Sequence, residues 1–78
     1  MTTDEIKKRF TYHPPVRDQA QRYELIRNNG LELANLLNMY CPESRELSLA
    51  ITKLEEAVFW ANASIARNEP GEETAREG

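Results

Sequence analysis

Apolar residues recur at helical spacing along two stretches of the chain. The first stripe, with alternating steps of three and four, consists of Tyr23, Ile26, Gly30, Leu33, Leu37 and Tyr40. The second stripe, with the same alternation, consists of Leu47, Ile51, Leu54, Val58, Ala61 and Ile65. A period of 3.5 residues predicts two amphipathic helices, one over residues 18–40 and one ending at about Asn68.

A short turn separates the two stripes. It reads Cys41-Pro42-Glu43-Ser44, and the second helix can begin either with Pro42 at its first position or with Ser44 as its N-cap. Asp18 is the N-cap candidate for the first helix, and Pro70-Gly71 ends the second. Two helices of this length joined by so short a turn must pack antiparallel, which predicts an all-α helical hairpin.

Gly30 lies on the apolar stripe of the first helix. Glycine in a helix interior costs about 1 kcal/mol relative to alanine. Either a close approach of the second helix or a kink would explain it.

The N-terminal segment predicts a short helix over Thr3–Arg9, with Thr3 as its cap and Ile6 and Phe10 as anchors on the hairpin. Pro14-Pro15 then favours an extended link, because proline disfavours helix at the residue before it. We therefore expect an arm over residues 1–16, a hairpin over residues 17–68, and a disordered acidic tail over residues 69–78.

The second helix carries more apolar surface than one partner helix covers. Leu49, Phe59 and Trp60 lie off its main stripe. A chain of 78 residues builds a modest core, and its single cysteine, Cys41, allows no internal disulfide. The sequence therefore predicts a homo-oligomer in which helices of several copies cover these residues.

Composition narrows the classes of function. The net charge of −3 comes from residues 68–78, while residues 1–67 carry nine acidic and nine basic side chains. A neutral body argues against binding duplex nucleic acid.

One histidine and one cysteine argue against a metal site, and we expect no cofactor. No nucleophile–base pair and no glycine-rich phosphate loop is recognisable, so we expect no enzyme. No stretch of consecutive residues is apolar enough to span a membrane, and we expect a cytoplasmic protein.

Three places offer candidate anion-binding chemistry. In KKRFTYHPP (residues 7–15), Tyr12 could stack on a planar base while Lys8 and His13 donate to phosphate oxygens. The alternative is an arm that packs on the hairpin with its cations in solvent. Arg27 could border an interface or form a helix-surface salt bridge, and Arg67 suits the end of a helix whatever else it does.

Three stretches carry a resemblance to a known family: KRFTYHPP at 8–15, CPESRE at 41–46 and ITKLEEAVFWANASIARN at 51–68. Together they resemble small phage proteins that counter cyclic-oligonucleotide-based antiphage signalling (CBASS). These proteins act as sponges that sequester the bacterial messenger without cleaving it. The resemblance implies a short N-terminal helix plus two long antiparallel helices, assembled as a homohexamer in the infected bacterial cell.

The resemblance also implies roles for individual residues. Tyr12 matches the tyrosine that stacks on the bases of cyclic dinucleotides, and Arg27 matches a basic position that meets their phosphates. Arg67 matches an arginine that serves a separate cyclic trinucleotide site. The polar partner of that arginine falls near Asn29, where the sequence NNG departs from the family pattern. The alternative from another class is a hairpin module that binds a host or phage protein through Phe59 and Trp60.

Overall fold

A computed structural model describes residues 1–69, and these residues form three α-helices and no strand. Helix α1 spans Thr3–Phe10, α2 spans Gln19–Tyr40 and α3 spans Arg45–Asn68. The all-α class, the short first helix and the two long helices are confirmed. The predicted disordered tail begins at Glu69, and its residues 70–78 lie outside the described part of the chain.

The ends of the three helices show which of the candidate residues in the sequence act as N-caps. Helix α3 begins with Ser44 as its N-cap and not with Pro42 at its first position, and the Ser44 Oγ accepts a hydrogen bond of 3.1 Å from the backbone N–H of Leu47. Helix α1 is capped by Thr2, one residue before the predicted cap, whose Oγ1 accepts from the Glu5 N–H at 3.1 Å. Asp18 precedes α2 as predicted but makes no side-chain cap bond.

The faces of α2 and α3 that meet are close to those predicted. All six residues of the second stripe are at least half-buried, and Leu47 is the buried apolar residue of the described chain. In α2, however, Leu33 and Tyr40 are exposed, and Ala34 takes the inward position. A straight helix repeats every 3.6 residues, so a 3.5-residue stripe drifts off the contact line by about 20° per heptad.

Gly30 marks a close approach of the two helices. A Cβ at this position would lie 2.6 Å from Val58 Cγ2. Real Cβ atoms do not approach other carbons so closely, so the interhelical contact at this point requires a residue without a side chain. The close-approach explanation of Gly30 is thus confirmed.

Much apolar surface remains uncovered within one chain. The molecule is 15 Å across its shortest dimension, little more than the roughly 10–12 Å diameter of a single helix. Phe59 and Trp60 are more than half exposed, as predicted. Phe10 is 85% exposed, so its predicted role as an anchor on the hairpin is wrong within the chain. It sits in the last turn of α1, and the extensive helix contact of the described residues is between α2 and α3.

Polar contacts lock the open end of the hairpin. Both terminal nitrogens of Arg22 donate to the Glu69 carboxylate, and Gln19 Nε2 donates to it at 3.1 Å. Gln19 is only 5% exposed, and its Oε1 accepts from the Val16 N–H at 3.1 Å. We call Gln19, Arg22 and Glu69 the clamp. It joins the start of α2, the end of α3 and the end of the N-terminal arm.

None of the helices in the described range is both long and apolar enough to cross a membrane.

Candidate functional site

Residues 11–16, the first part of the connection between α1 and α2, are held at both ends. We call this segment the strap. At its start, Thr11 Oγ1 donates to the Lys7 carbonyl at 2.6 Å. At its end, the Val16 N–H is bonded to the clamp residue Gln19. Pro14 and Pro15 stiffen the path between these bonds by fixing φ at two successive residues.

The strap, α2 and α3 border an open cleft of about 610 Å³. This size falls within the roughly 300–1,000 Å³ of small-molecule sites. Tyr12 and His13 line it from the strap, Tyr23 and Arg27 from α2, and Asn62 from α3. Tyr12 and Arg27, 15 positions apart in sequence, therefore face one space.

Positive charge predominates in the cleft. Its walls include Arg9, Arg27 and Arg67 but a single carboxylate, that of Glu55. Arg27 makes no ion pair with another described residue, so the predicted alternative, a helix-surface salt bridge, is absent in that part of the chain. The guanidinium of Arg27 can therefore bind an anion without first breaking an internal pair.

Aromatic groups occupy two sides of the cleft. Tyr12 is 80% exposed, which leaves its ring open to stack on a flat ligand. Phe59 lines the wall on α3, and its ring meets that of Trp60 edge to face with centroids 5.0 Å apart. The Arg67 guanidinium carbon lies 5.9 Å from the Trp60 ring centroid, within the range of a cation–π contact. Arg67 thus has a neighbour that orients it at the edge of the cleft.

The hydrogen bond of His13 defines what its ring can offer. Nε2 lies 3.0 Å from the Lys8 carbonyl oxygen, which can only accept, so Nε2 carries the proton. The other nitrogen, Nδ1, accepts in the neutral ring and donates in the charged ring. The predicted donation from His13 to a phosphate therefore requires the imidazolium form.

Two predicted binding residues lie apart from the cleft. Lys8 lines a neighbouring cavity of about 260 Å³, which it shares with Lys7, His13 and Arg67. Asn29 is exposed on α2, and its Nδ2 donates to the Leu25 carbonyl at 2.8 Å. Within one chain, Arg67 is thus placed with Tyr12 and Arg27 and not with Asn29.

The structure adds cleft residues that sequence reasoning missed. Tyr23 and Asn62 line the cleft, and the Tyr23 hydroxyl and Asn62 Oδ1 are both shielded from solvent without a hydrogen-bond partner among the described residues. Tyr23 was assigned to the apolar stripe, and Asn62 had no spacing signal. The clamp was missed as well, because Arg22 and Glu69 are 47 positions apart.

The clamp shifts the ionisation of its members. Hydrogen bonds from Arg22, and then from Gln19, lower the pKa of Glu69 from 4.5 to about 2. The same pairing raises the pKa of Arg22 above its usual value. Both side chains are about one-third exposed, so solvent weakens the interaction relative to a buried pair.

The described residues form a helical hairpin with an open cleft that arginines and an exposed aromatic ring line, an arrangement suited to a flat anionic ligand. No cluster of metal-ligating side chains occurs within residues 1–69. A sequence profile described as "Acb2/Tad1, hairpin domain" matches residues 2–66. The chain belongs to this family, which confirms the resemblance to the phage anti-CBASS proteins. Searches of curated proteins and of solved structures return no significant match.

Proposed function

We propose that this protein is a phage immune-evasion sponge that binds and sequesters cyclic dinucleotide messengers of CBASS in the cytoplasm of the infected bacterium. Family membership supports the coarser part, a cyclic-oligonucleotide-binding anti-defence protein. The observation that carries the finer part is the meeting of Tyr12 and Arg27 at one cleft. A base stacks on the tyrosine while the arginine contacts phosphate.

A homo-oligomer, with a hexamer as the proposed state, agrees with the exposed surface of the single chain. A cyclic dinucleotide has two bases and two phosphates in a nearly two-fold arrangement. A pair of symmetry-related subunits can offer two copies of Tyr12 and Arg27, one for each half of the ligand. The thin, single-layer hairpin and its exposed apolar side chains support this association.

Binding of cyclic trinucleotides is the second part of the proposal. Arg67 sits near the end of α3, where a cation is also favoured by the helix dipole. Asn29 and Arg67 do not share the cleft of one chain. A trinucleotide site that uses both must therefore be assembled from different subunits.

The test is isothermal titration calorimetry with a panel of cyclic di- and trinucleotides, followed by heat denaturation and analysis of the released ligand. A sponge binds in fixed stoichiometry at sub-micromolar concentration and returns the ligand intact. Absence of binding below about micromolar concentration refutes the proposal. Recovery of a linear nucleotide makes the protein an enzyme instead.

The competing function is a hairpin module that binds a host or phage protein through Phe59 and Trp60, whose exposed rings favour it. Light scattering and fluorescence quenching separate the two functions. The sponge predicts an oligomer in which Trp60 is shielded from acrylamide. The module predicts a monomer or dimer in which Trp60 is freely quenched.

A further inference from the structure

The backbone around Tyr12 is fastened to α1 by local hydrogen bonds. On one side of Tyr12, Thr11 Oγ1 donates to the Lys7 carbonyl at 2.6 Å. On the other side, His13 Nε2 donates to the Lys8 carbonyl at 3.0 Å. Both carbonyls belong to the last turn of α1, so Tyr12 and α1 form one unit.

Helix α1 itself does little to hold this unit on the hairpin. Every residue of α1 is exposed, and the extensive helix contact of the described residues is between α2 and α3. The rest of the strap is stiff, because Pro14 and Pro15 fix φ at two successive residues. The position of Tyr12 relative to Arg27 on α2 therefore depends on how the far end of the strap is attached to the hairpin.

That attachment is a pair of reciprocal hydrogen bonds between Val16 and Gln19. The Val16 N–H donates to Gln19 Oε1 at 3.1 Å, and the Gln19 N–H donates to the Val16 carbonyl at 3.0 Å. Gln19 is 5% exposed and its Nε2 donates to Glu69, so its carboxamide has a fixed orientation. Between the two bonded residues, Arg17 has a φ of 53°, in the left-handed region that residues other than glycine rarely adopt. Such strain persists only where surrounding contacts over-determine the backbone, as this pair of bonds does.

We propose that Gln19 is a positioning residue for ligand binding, whose side-chain oxygen fixes the end of the strap and thereby holds Tyr12 at the cleft that Arg27 lines. This inference rests on the proposed function. Gln19 is not among the residues that line the cleft, so it acts on the ligand only through the strap. A protein with a loose strap populates the binding-competent arrangement less often, and its apparent affinity falls by that fraction.

Two variants separate this role from a general contribution to stability. Gln19→Leu removes the acceptor of the Val16 N–H, and we expect it to weaken binding about threefold to tenfold. Glu69→Gln breaks the charged pair with Arg22 but keeps an amide oxygen for Gln19 Nε2, so the strap stays attached. That variant should be less heat-stable than the wild type and bind within about twofold of it. If Gln19 only supported the fold, stability and affinity would fall together in both variants.

Two further variants complete the comparison. Gln19→Glu restores an acceptor for the Val16 N–H but cannot donate to Glu69, so it should recover most of the lost affinity while remaining less stable than the wild type. Gln21→Leu makes the matched change at an exposed position of α2 outside the cleft, and it should alter neither affinity nor stability.

Four measurements are made on the full chain. Calorimetry with cyclic di-GMP and cyclic di-AMP gives affinity, thermal unfolding gives stability, and light scattering checks that the assembly mass is unchanged. Hydrogen exchange of the Val16 amide reports the strap directly. We expect this amide to be protected in the free wild type and in Glu69→Gln, and to lose protection in Gln19→Leu.

Three results would overturn the inference. Equal losses of affinity in Gln19→Leu and Glu69→Gln would leave Gln19 with a role in stability alone. A Val16 amide that stays protected in Gln19→Leu would show that other contacts hold the strap. A Gln19→Glu variant that protects this amide without recovering affinity would separate the strap from binding. If the wild type binds neither cyclic dinucleotide, the proposed function itself fails, whereas wild-type binding that Gln19→Leu leaves unaltered overturns this inference alone.

Discussion

Gly30 and Val58 mark the closest approach of the two long helices, since a Cβ on Gly30 would lie 2.6 Å from Val58 Cγ2. We predict that Gly30→Ala lowers the free energy of unfolding by about 1 kcal/mol. Alanine gains roughly 1 kcal/mol in helix propensity, but overpacking costs about 1–3 kcal/mol. Val58 cannot easily rotate away, because a β-branched residue in a helix has one strongly preferred rotamer. Urea unfolding at a fixed protein concentration measures the change.

The matched control is a double-mutant cycle with Val58→Ala. In that background the clashing methyl is gone, so Gly30→Ala should stabilise the hairpin by up to about 1 kcal/mol. Destabilisation of equal size in both backgrounds would show that the helices do not meet at these residues.

The clamp predicts a dependence of stability on pH. Because the pKa of Glu69 is lowered to about 2 in the folded protein, its contribution is complete above pH 4.5, the ordinary value. The contribution is then lost as the pH falls from 4.5 towards 2. Glu69→Gln should therefore melt at a lower temperature than the wild type at pH 7, and the difference should shrink over this interval. Thermal unfolding followed by circular dichroism across the interval measures it.

Glu24→Gln is the control for the clamp, since Glu24 is exposed on α2 and forms no ion pair with the described residues. It should leave the melting temperature nearly unchanged at every pH. A Glu69→Gln variant that parallels the wild type at all pH values would rule out the clamp as a contributor to stability.

The cap of α3 is open to a direct test. Ser44→Ala removes the side-chain acceptor of the Leu47 N–H and should lower the free energy of unfolding by about 1 kcal/mol. Ser48→Ala is the control, because Ser48 is exposed in the interior of α3 and alanine is the better helix former there. Urea midpoints measured side by side should fall for the first variant and not for the second. The opposite order would place the start of α3 elsewhere.

Tyr12 should bind through its ring and not through its hydroxyl. Tyr12→Ala is predicted to weaken cyclic dinucleotide binding by about 5- to 150-fold, the equivalent of roughly 1–3 kcal/mol of stacking. Tyr12→Phe keeps the ring and should bind nearly as the wild type does. Calorimetry measures both, and light scattering checks that the assembly mass is unchanged. Normal binding by Tyr12→Ala would move the stacking site away from the strap.

Arg27 should bind phosphate through the charge and the planar geometry of its guanidinium group. Arg27→Ala is predicted to weaken binding and to reduce its dependence on salt, because one phosphate contact is lost. Arg27→Lys keeps the charge and should recover part of the affinity. Titrations at two salt concentrations distinguish these effects, and an unaltered salt dependence in Arg27→Ala would show that this arginine does not meet phosphate.

Local sequence was sufficient for the helices and narrowed each of their ends to a few residues. The stripe from Leu47 to Ile65 has its inward face where the spacing predicts, and Ser44 is the cap because its side chain is close in sequence to the amide it binds. These features depend on contacts within a few residues, which the order of amino acids specifies directly.

The tertiary structure alone decided which residues share the cleft and which close the hairpin. Asn62 and Tyr23 both line the cleft, and Glu69 reaches Arg22 across 47 positions. Such contacts depend on how far each helix is rotated about its axis, and the rotation of α2 places Ala34 instead of Leu33 at the interface. Periodicity defines a face only to within about one residue, because neighbouring positions differ by 100°. The sequence therefore determined the hairpin, whereas packing determined the cleft.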